Sequence, residues 1–251
     1  MITIRNAHKH YGRQTVVNNV SLSIQPNSLT TLIGSNGAGK STLLSLIGHL
    51  VDGQGEFLLE GKPISSIKPT ELAKQLSMLR QTNLVTVRLT VRELVNFGRF
   101  PYSRTKLTTR DHQLVDQALK FMDLTELADK YLDQLSGGER QRASIAMILA
   151  QDTAYVLLDE PLNNLDMAHS VHIMKLVRRL VDEHHKTIIV VLHDINFASC
   201  YSDYIIAMKD GKLVQQGRTE QIINSERLME IYGMHIPVSE QGGRRYCLYH
   251  V

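Results

Sequence analysis

The chain has 251 residues, of which 43% are hydrophobic and 21% charged, with a formal net charge of +3. This length allows one large α/β domain, alone or with a subdomain, and the charge is too small to predict a nucleic-acid partner. No stretch approaches the ~20 apolar residues of a membrane span, and the first residues contain no apolar signal-peptide core. Cys200 and Cys247 form neither a spaced metal motif nor a disulfide framework, which fits a reducing, cytoplasmic setting.

Alternating apolar and polar residues predict two half-buried antiparallel strands within the first 25 residues. The apolar positions are Ile2, Ile4, Val20, Leu22 and Ile24. Tyr11 lies between the two runs. A tyrosine ahead of a phosphate-binding loop can stack on an adenine face, but it can equally well cover the core, and the spacing leaves both roles open.

A glycine-rich segment with the pattern G-x-x-x-x-G-K-S follows a short apolar run at 29–33 and precedes a second apolar run at 43–47. Its residues are Gly34, Ser35, Asn36, Gly37, Ala38, Gly39, Lys40, Ser41 and Thr42. Strand, glycine loop and helix together predict a phosphate-binding loop, in which backbone N–H groups and the helix dipole face the phosphates. Lys40 would reach the β- and γ-phosphates, and the Ser41 hydroxyl would be a ligand of Mg²⁺.

Mixed α/β elements follow as far as residue 84. The pattern predicts a strand over 56–60, a short helix after Pro69, and a buried strand over 76–79 that leads into a loop containing Gln81. Residues from about 84 to 150 read as helical. The pairs Thr90/Glu93 and Thr108/Asp111 are capping boxes, and residues 98–102 are expected to end the first of these helices.

A seven-residue segment, which we call the heptad, supplies a second candidate anion-binding surface. Its residues are Leu135, Ser136, Gly137, Gly138, Glu139, Arg140 and Gln141. Ser136 is suited to capping a helix, and the N–H groups at a helix N-terminus favour an anion. In isolation the same residues would also suit an ordinary Ser-Gly helix start.

Two further buried strands end in polar side chains. The run at 155–158 ends in Asp159 and Glu160, and the run at 187–192 ends in His193. Beside a phosphate-binding loop, the first carboxylate can hold the Mg²⁺ shell and the second can orient or deprotonate water. Alternation of strands and helices predicts parallel βαβ units, and such sheets bind ligands at the carboxyl ends of their strands. The alternatives are a solvated acidic turn and a histidine that only caps or fills the core.

The last part of the chain predicts a hairpin and a helix. Runs at 204–208 and 213–215 flank Asp210 and Gly211, which favour a type I′ turn. A helix is expected over 219–232, with Gly233 ending it. Residues 235–251 indicate no chemistry.

In order and context, these motifs resemble the ATP-binding subunits of ABC transporters over about residues 1 to 225. The resemblance implies a P-loop NTPase (RecA-like) core with a mixed sheet, an N-terminal antiparallel β subdomain and an inserted α-helical subdomain. It implies one ABC ATPase domain, with a catalytic α/β core at 1–84 and 151–220, a helical subdomain at 85–150 and a C-terminal extension at 221–251.

The resemblance also implies a role for each matched position. Tyr11 would stack on adenine, and Gln81 would contact Mg²⁺ and the attacking water and sense the permease. Glu160 would be the general base, His193 would contact the γ-phosphate, and Asp166 would lie in a loop crossing a dimer interface. Ser41, Gln81 and Asp159 would be the metal ligands. Two copies would enclose two ATP molecules, with the heptad of each copy binding the nucleotide held by the other.

A narrower resemblance concerns cargo. Residues 98–102, Gly-Arg-Phe-Pro-Tyr, look like a segment of importers of iron–siderophore complexes, haem and cobalamin. Residues 159–169 look like a subset that handles catecholate or related siderophores, although Leu162 stands where many members have Thr or Ser.

We therefore expect an ATP hydrolase that couples ATP hydrolysis to import of a ferric siderophore. The expected partners are a second copy, integral-membrane permease subunits and, indirectly, an extracytoplasmic substrate-binding protein, with no nucleic acid. The expected location is the cytoplasmic face of the inner membrane. The alternatives are import of haem or cobalamin, an exporter, a soluble non-transport ABC ATPase, and a P-loop kinase or GTPase. A P-loop kinase or GTPase does not need the heptad, and this sequence contains no nucleobase-reading Asn-Lys-x-Asp. The 251 residues leave no room for the insertions typical of the soluble class.

Overall fold

A computed structural model describes residues 1–80, 87–103 and 106–249. The strands in these ranges are β1 (Ile2–Tyr11), β2 (Gln14–Ile24), β3 (Leu29–Ile33), β4 (Gln54–Leu59), β5 (Lys62–Pro63), β6 (Leu76–Leu79), β7 (Tyr155–Asp159), β8 (Thr187–Val191), β9 (Tyr204–Lys209), β10 (Lys212–Arg218), β11 (Val238–Gln241) and β12 (Arg244–Cys247). The α-helices are α1 (Lys40–Ile47), α2 (Pro69–Leu72), α3 (Val91–Asn96), α4 (Phe100–Ser103), α5 (Thr109–Phe121), α6 (Gly137–Ala150), α7 (Met167–Asp182), α8 (Ile195–Tyr201), α9 (Thr219–Ile222) and α10 (Ser225–Tyr232). Among the residues in these ranges, no helix is both long and apolar enough to span a membrane.

The central element is a six-stranded mixed sheet in the order β10-β9-β3-β8-β7-β6. All neighbours are parallel except β9 and β10, which form an antiparallel hairpin. Parallel strands end at the same edge, so the segments after β3, β7 and β8 meet there. The parallel βαβ arrangement expected from the sequence is confirmed, and it brings the glycine loop, Glu160 and His193 to one edge.

The sheet separates two hydrophobic cores. Along β8, Ile188 and Val190 face the core that contains α5, α6 and α7, whereas Ile189 and Val191 face the core that contains α1 and the second sheet. That second sheet is antiparallel in the order β2-β1-β4-β5, with Ile2 opposite Ile24. Because side chains alternate across a strand, a continuous apolar run is what a strand buried on both faces requires.

Within the described part of residues 87–150, three helices start where the capping pattern predicts. Thr90 caps α3, Thr108 caps α5 and Ser136 caps α6, and each forms a complete capping box with an acidic residue. Each box satisfies N–H groups that have no partner inside the helix, which is why the pattern marks the start so well.

Two helix boundaries differ from the sequence prediction. Residues 98–102 do not simply end α3; a 3₁₀ turn at Phe97–Arg99 follows it and continues into α4. Pro101 is tolerated because it lies in the first turn of α4, where its missing N–H costs nothing. The helix expected over 219–232 is two helices, because Asn224 adopts an extended backbone and its side chain accepts from the Arg227 N–H, which starts α10.

The end of the chain packs on α8. The hairpin formed by β11 and β12 is held there by the Ser199 hydroxyl, which donates to the Arg245 carbonyl oxygen at 2.6 Å, and by the Cys247 N–H, which donates to Asn196 at 2.7 Å. Gly233 ends α10 in the left-handed conformation, as the sequence predicts. The β9–β10 turn also has its predicted form, with φ of 48° at Asp210 and 76° at Gly211.

Candidate functional site

The glycine loop between β3 and α1 is held by close backbone contacts on two sides. A Cβ atom on Gly34 would lie 2.0 Å from the Met208 carbonyl oxygen, and one on Gly39 would lie 2.4 Å from the Val16 carbonyl oxygen. Both residues also have positive φ, 139° and 94° respectively. Only glycine meets both conditions, so β9 and β2 fix the path of the loop.

Lys40 is drawn into the loop that precedes it. Its side chain is 5% exposed, and Nζ donates to the carbonyl oxygens of Gly34 at 2.8 Å and Ser35 at 2.9 Å. Burial lowers the pKa of Lys40, whereas the nearby carboxylates of Glu160 and Asp159 raise it. An ammonium group held inside a glycine loop at the start of a helix is suited to bind phosphate oxygens.

Ser41 and Asp159 form an oxygen pair at the start of α1. The Ser41 hydroxyl donates to Asp159 Oδ1 at 2.7 Å, and Asp159 is 6% exposed. Burial raises the pKa of Asp159; the Ser41 hydrogen bond opposes that rise, and the neighbouring Glu160 adds to it. A hydroxyl and a carboxylate are the oxygen ligands that Mg²⁺ accepts, and a cation would offset the cost of burying this charge. The two residues therefore fit an Mg²⁺ site.

Glu160 is oriented from two sides. Its Oε1 lies 2.6 Å from His193 Nε2, and its Oε2 accepts a hydrogen bond from the Asn163 amide. The backbone of Glu160 is left-handed, with φ of 51°, and its side chain is 9% exposed. The turn after β7 thus aims a nearly buried carboxylate at the loop. The sequence pattern indicates no role for Asn163 beyond its place within the 159–169 stretch.

Lys40, Ser41, Glu160 and His193 line one cavity of about 190 Å³ at the carboxyl ends of β3, β7 and β8. The lining residues are Val16, Asn36, Gly37, Ala38, Gly39, Lys40, Ser41, Thr42, Glu160 and His193. The volume suits a phosphate chain rather than a whole nucleotide, so a base would lie outside it. Val16 lines the cavity although nothing in the sequence pattern marked it.

Tyr11 is at the end of β1, beside the tip of the β1–β2 hairpin. Its side chain is 51% exposed, and Lys9 Nζ lies 4.9 Å from the centre of its ring. In the described part of the chain, the cavity lining does not include Tyr11. Stacking of Tyr11 on adenine stays a prediction.

The heptad forms the exposed start of α6. The Ser136 N–H and hydroxyl both donate to Glu139 Oε2 at 2.8 Å, and these bonds lower the pKa of Glu139. The Arg140 guanidinium donates to the Leu132 carbonyl oxygen at 2.7 Å. Leu135 packs on the core, and Gln141 is half-buried. Of the described residues that line the cavity, none comes from the heptad of the same chain.

Asp166 caps α7. Its Oδ1 accepts from the His169 N–H at 2.8 Å and faces His169 Nδ1 at 2.8 Å, and these contacts lower the pKa of Asp166. The carboxylate is exposed and lies apart from the cavity lining among the described residues. Gln81, the remaining predicted site residue, lies outside the described residues.

Comparison with known proteins places this site in a family. Residues 17–163 match the family described as ABC transporter. The chain is 52% identical over 250 residues to the petrobactin import ATP-binding protein YclP of Bacillus subtilis (strain 168), covering 99% of each chain. It is 40% identical over 227 residues to the ferric enterobactin transport ATP-binding protein FepC of Escherichia coli (strain K12), covering 89% of this chain and 84% of that one.

A solved structure supports the same assignment. A dimeric structure of a bacterial ABC transporter cassette superposes with a TM-score of 0.78 at 31% identity, covering 87% of this chain and 99% of that one. Fold, site geometry and sequence agree, and the family match spans more than half of the chain. This protein belongs to the ABC transporter family.

Proposed function

We propose that this protein binds ATP with Mg²⁺, hydrolyses it within a dimer of two copies, and so drives a bacterial importer of a ferric siderophore. One observation carries the proposal: Lys40, Ser41, Glu160 and His193 line a single cavity at the glycine loop, and Asp159 accepts a hydrogen bond from Ser41. This set supplies a phosphate cradle, oxygen ligands for a cation and a candidate base, which are the parts that phosphoryl transfer to water requires.

Binding of the triphosphate uses groups already in place. Lys40 Nζ would exchange its two carbonyl contacts for phosphate oxygens, and the N-terminus of α1 adds the positive end of its dipole. Ser41 and Asp159 would hold Mg²⁺, with Gln81 as a further proposed ligand. The bound ion would neutralise charge on the phosphates.

Glu160 is the proposed general base. A carboxylate within hydrogen-bond reach of a water aligned with the γ-phosphate accepts its proton as the oxygen attacks. His193 Nε2 and the Asn163 amide hold the two carboxylate oxygens, so the base has little rotational freedom to lose in the transition state. We propose that His193 also contacts the γ-phosphate and that Tyr11 stacks on the adenine.

We propose that the heptad completes the site of the partner copy. It presents an exposed helix N-terminus and contributes nothing to its own cavity among the described residues. A helix N-terminus attracts a phosphate, and enclosing the nucleotide from both sides excludes water. The similarity to a cassette solved as a dimer supports this arrangement. Asp166 would lie in the loop at the interface between the copies.

The cargo is inferred from relatives and from residues 98–102. One relative is named for petrobactin import and another for ferric enterobactin transport, so a ferric siderophore is the cargo that we propose. Import of haem or cobalamin is the alternative that the 98–102 resemblance allows. The other proposed partners are permease subunits and, through them, an extracytoplasmic substrate-binding protein, with no nucleic acid. The protein would lie peripherally on the cytoplasmic face of the membrane.

We also propose the functional division of the chain given above: a catalytic core at 1–84 and 151–220, a helical subdomain at 85–150 and an extension at 221–251. The helical part carries the heptad, whereas the core carries the glycine loop and Glu160. Closure of the dimer would therefore join parts from both regions and transmit nucleotide state to the permease.

Replacement of Glu160 by Gln tests the hydrolytic step. We expect phosphate release to be abolished while ATP binding is retained, and the variant should form an ATP-dependent dimer in light scattering. Glu183→Gln is the control, because that carboxylate is exposed and pairs with Arg179 at the end of α7. Unchanged turnover in Glu160→Gln would remove Glu160 as the base.

An uptake assay with radioactive iron bound as ferric petrobactin tests the cargo. We expect uptake to be lost when the gene is deleted and to be restored only by the wild-type chain.

A further inference from the structure

The first turn of α7 holds a histidine ring in one orientation. Asp166 Oδ1 accepts from the His169 N–H and lies 2.8 Å from His169 Nδ1. Because an ionised carboxylate only accepts hydrogen bonds, this network assigns the ring proton to Nδ1. The side chain is 39% exposed, so its surroundings cover more than half of it.

The other edge of the ring lies against the heptad. A Cβ atom on Gly138 would lie 2.3 Å from His169 Cδ2, 2.8 Å from Cγ and 3.0 Å from Nε2. On the adjacent Gly137, the nearest such contact is the Asn164 carbonyl oxygen at 3.9 Å. Gly138 is helical and its φ is not positive, so its backbone does not require glycine. The imidazole ring is what excludes a side chain at Gly138.

We propose that His169 is a positioning residue that sets where the heptad lies relative to the turn joining Glu160 to Asp166. This inference rests on the proposed function, in which the heptad binds the nucleotide of the partner copy. The turn begins at the proposed base of one nucleotide site and ends at Asp166, and His169 connects it to the residues that serve the other site. The contact therefore ties the two half-sites of one chain together.

A dimerisation assay separates this role from a general structural one. In the Glu160→Gln background, His169→Ala should weaken ATP-dependent association about tenfold, because a hydrogen bond to a charged group and a packing contact are lost. In the protein that retains Glu160, His169→Ala should lower kcat by a similar factor. Affinity of the monomer for ATP should not change, since the cavity lining excludes His169 among the described residues. His169→Asn, whose amide can still donate to Asp166, should restore most of the association.

The chain offers a matched control on the same helix. His172 is 40% exposed and pairs with Asp123 at 3.3 Å, so it resembles His169 in exposure and type of partner but belongs to neither the heptad contact nor the cavity. His172→Ala should leave association and kcat near the wild-type values. If His169→Ala behaves like His172→Ala, the inference is wrong.

A second measurement tests the packing without nucleotide. Gly138→Ala should lower the thermal unfolding midpoint by about 4 °C or more when His169 is present, and by much less in the His169→Ala background, where the space is open. An equal shift in both backgrounds would overturn the inference. If the Glu160→Gln protein with His169 intact does not dimerise, the proposed function is wrong. The comparison of Gly138→Ala with and without His169 would still decide whether the ring positions the heptad.

Discussion

A buried ion pair anchors residues 98–102, and its removal should be costly. Arg99 Nε donates to Asp111 Oδ1 at 2.7 Å, and the two side chains are only 4% and 3% exposed. Arg99 also donates to the Ala150 carbonyl oxygen at 2.7 Å, and its guanidinium carbon lies 3.9 Å from the centre of the Tyr102 ring. The pair thus joins α5, the end of α6 and the segment before α4. This buried pair is a structural reason for an arginine at position 99.

Asp111→Asn retains the shape of the side chain but leaves a buried guanidinium without its counter-charge. Breaking a buried pair in this way costs about 3–5 kcal/mol, a large fraction of the ~5–15 kcal/mol by which a typical protein is stable. Asp116→Asn is the matched control on the same helix, because Asp116 pairs with Arg92 at side-chain exposures of 59% and 38%. An exposed pair contributes about 1 kcal/mol or less. Urea unfolding at neutral pH measures both variants against the wild type.

The pH dependence of this difference has a defined sign. Burial by itself would raise the pKa of Asp111, but hydrogen bonds from Ser103, Thr108 and Arg99 together hold it well below its usual range. A carboxyl group with a lowered folded-state pKa stabilises the fold above its unfolded pKa of about 4, and loses that contribution only as the pH falls below it. The difference between wild type and Asp111→Asn should therefore stay constant from about pH 8 to about pH 5. A difference no larger than that of Asp116→Asn would refute the reasoning.

Two further predictions concern the glycine loop. Lys40→Ala should weaken ATP binding strongly, because it removes the point charge over the phosphates; isothermal titration measures this, and wild-type affinity would contradict the proposed site. Gly34→Ala should lower the thermal unfolding midpoint of the nucleotide-free protein far more than Gly37→Ala, because only the former brings a Cβ atom within 2.0 Å of the Met208 carbonyl oxygen. Both residues have positive φ, but 78° at Gly37 lies near the left-handed region whereas 139° at Gly34 lies well beyond it, so backbone strain adds to the close contact at Gly34. Equal shifts would show that the close approach of β9 does not matter.

Features that depend on neighbours in sequence could be predicted. The capping residues Thr90, Thr108 and Ser136 start their helices as the pattern indicates, and Asp210-Gly211 forms the predicted turn. In each case the donor and acceptor are three or fewer residues apart, so local chain geometry is sufficient. The division of 219–232 at Asn224 was missed because the Asn224 side chain can either continue a helix or cap a new one, and propensity alone does not decide which prevails.

Local patterns along the chain were enough to predict the phosphate loop, the buried strand followed by Asp159 and Glu160, and the serine that starts α6. Tertiary packing was needed to show that His193 holds one oxygen of Glu160, that Arg99 finds Asp111, and that the ring of His169 lies on Gly138. The physical reason is that these contacts depend on how strands and helices pack across long sequence separations. A periodic pattern states which face of an element is buried, but it does not state which side chain from another element will cover it.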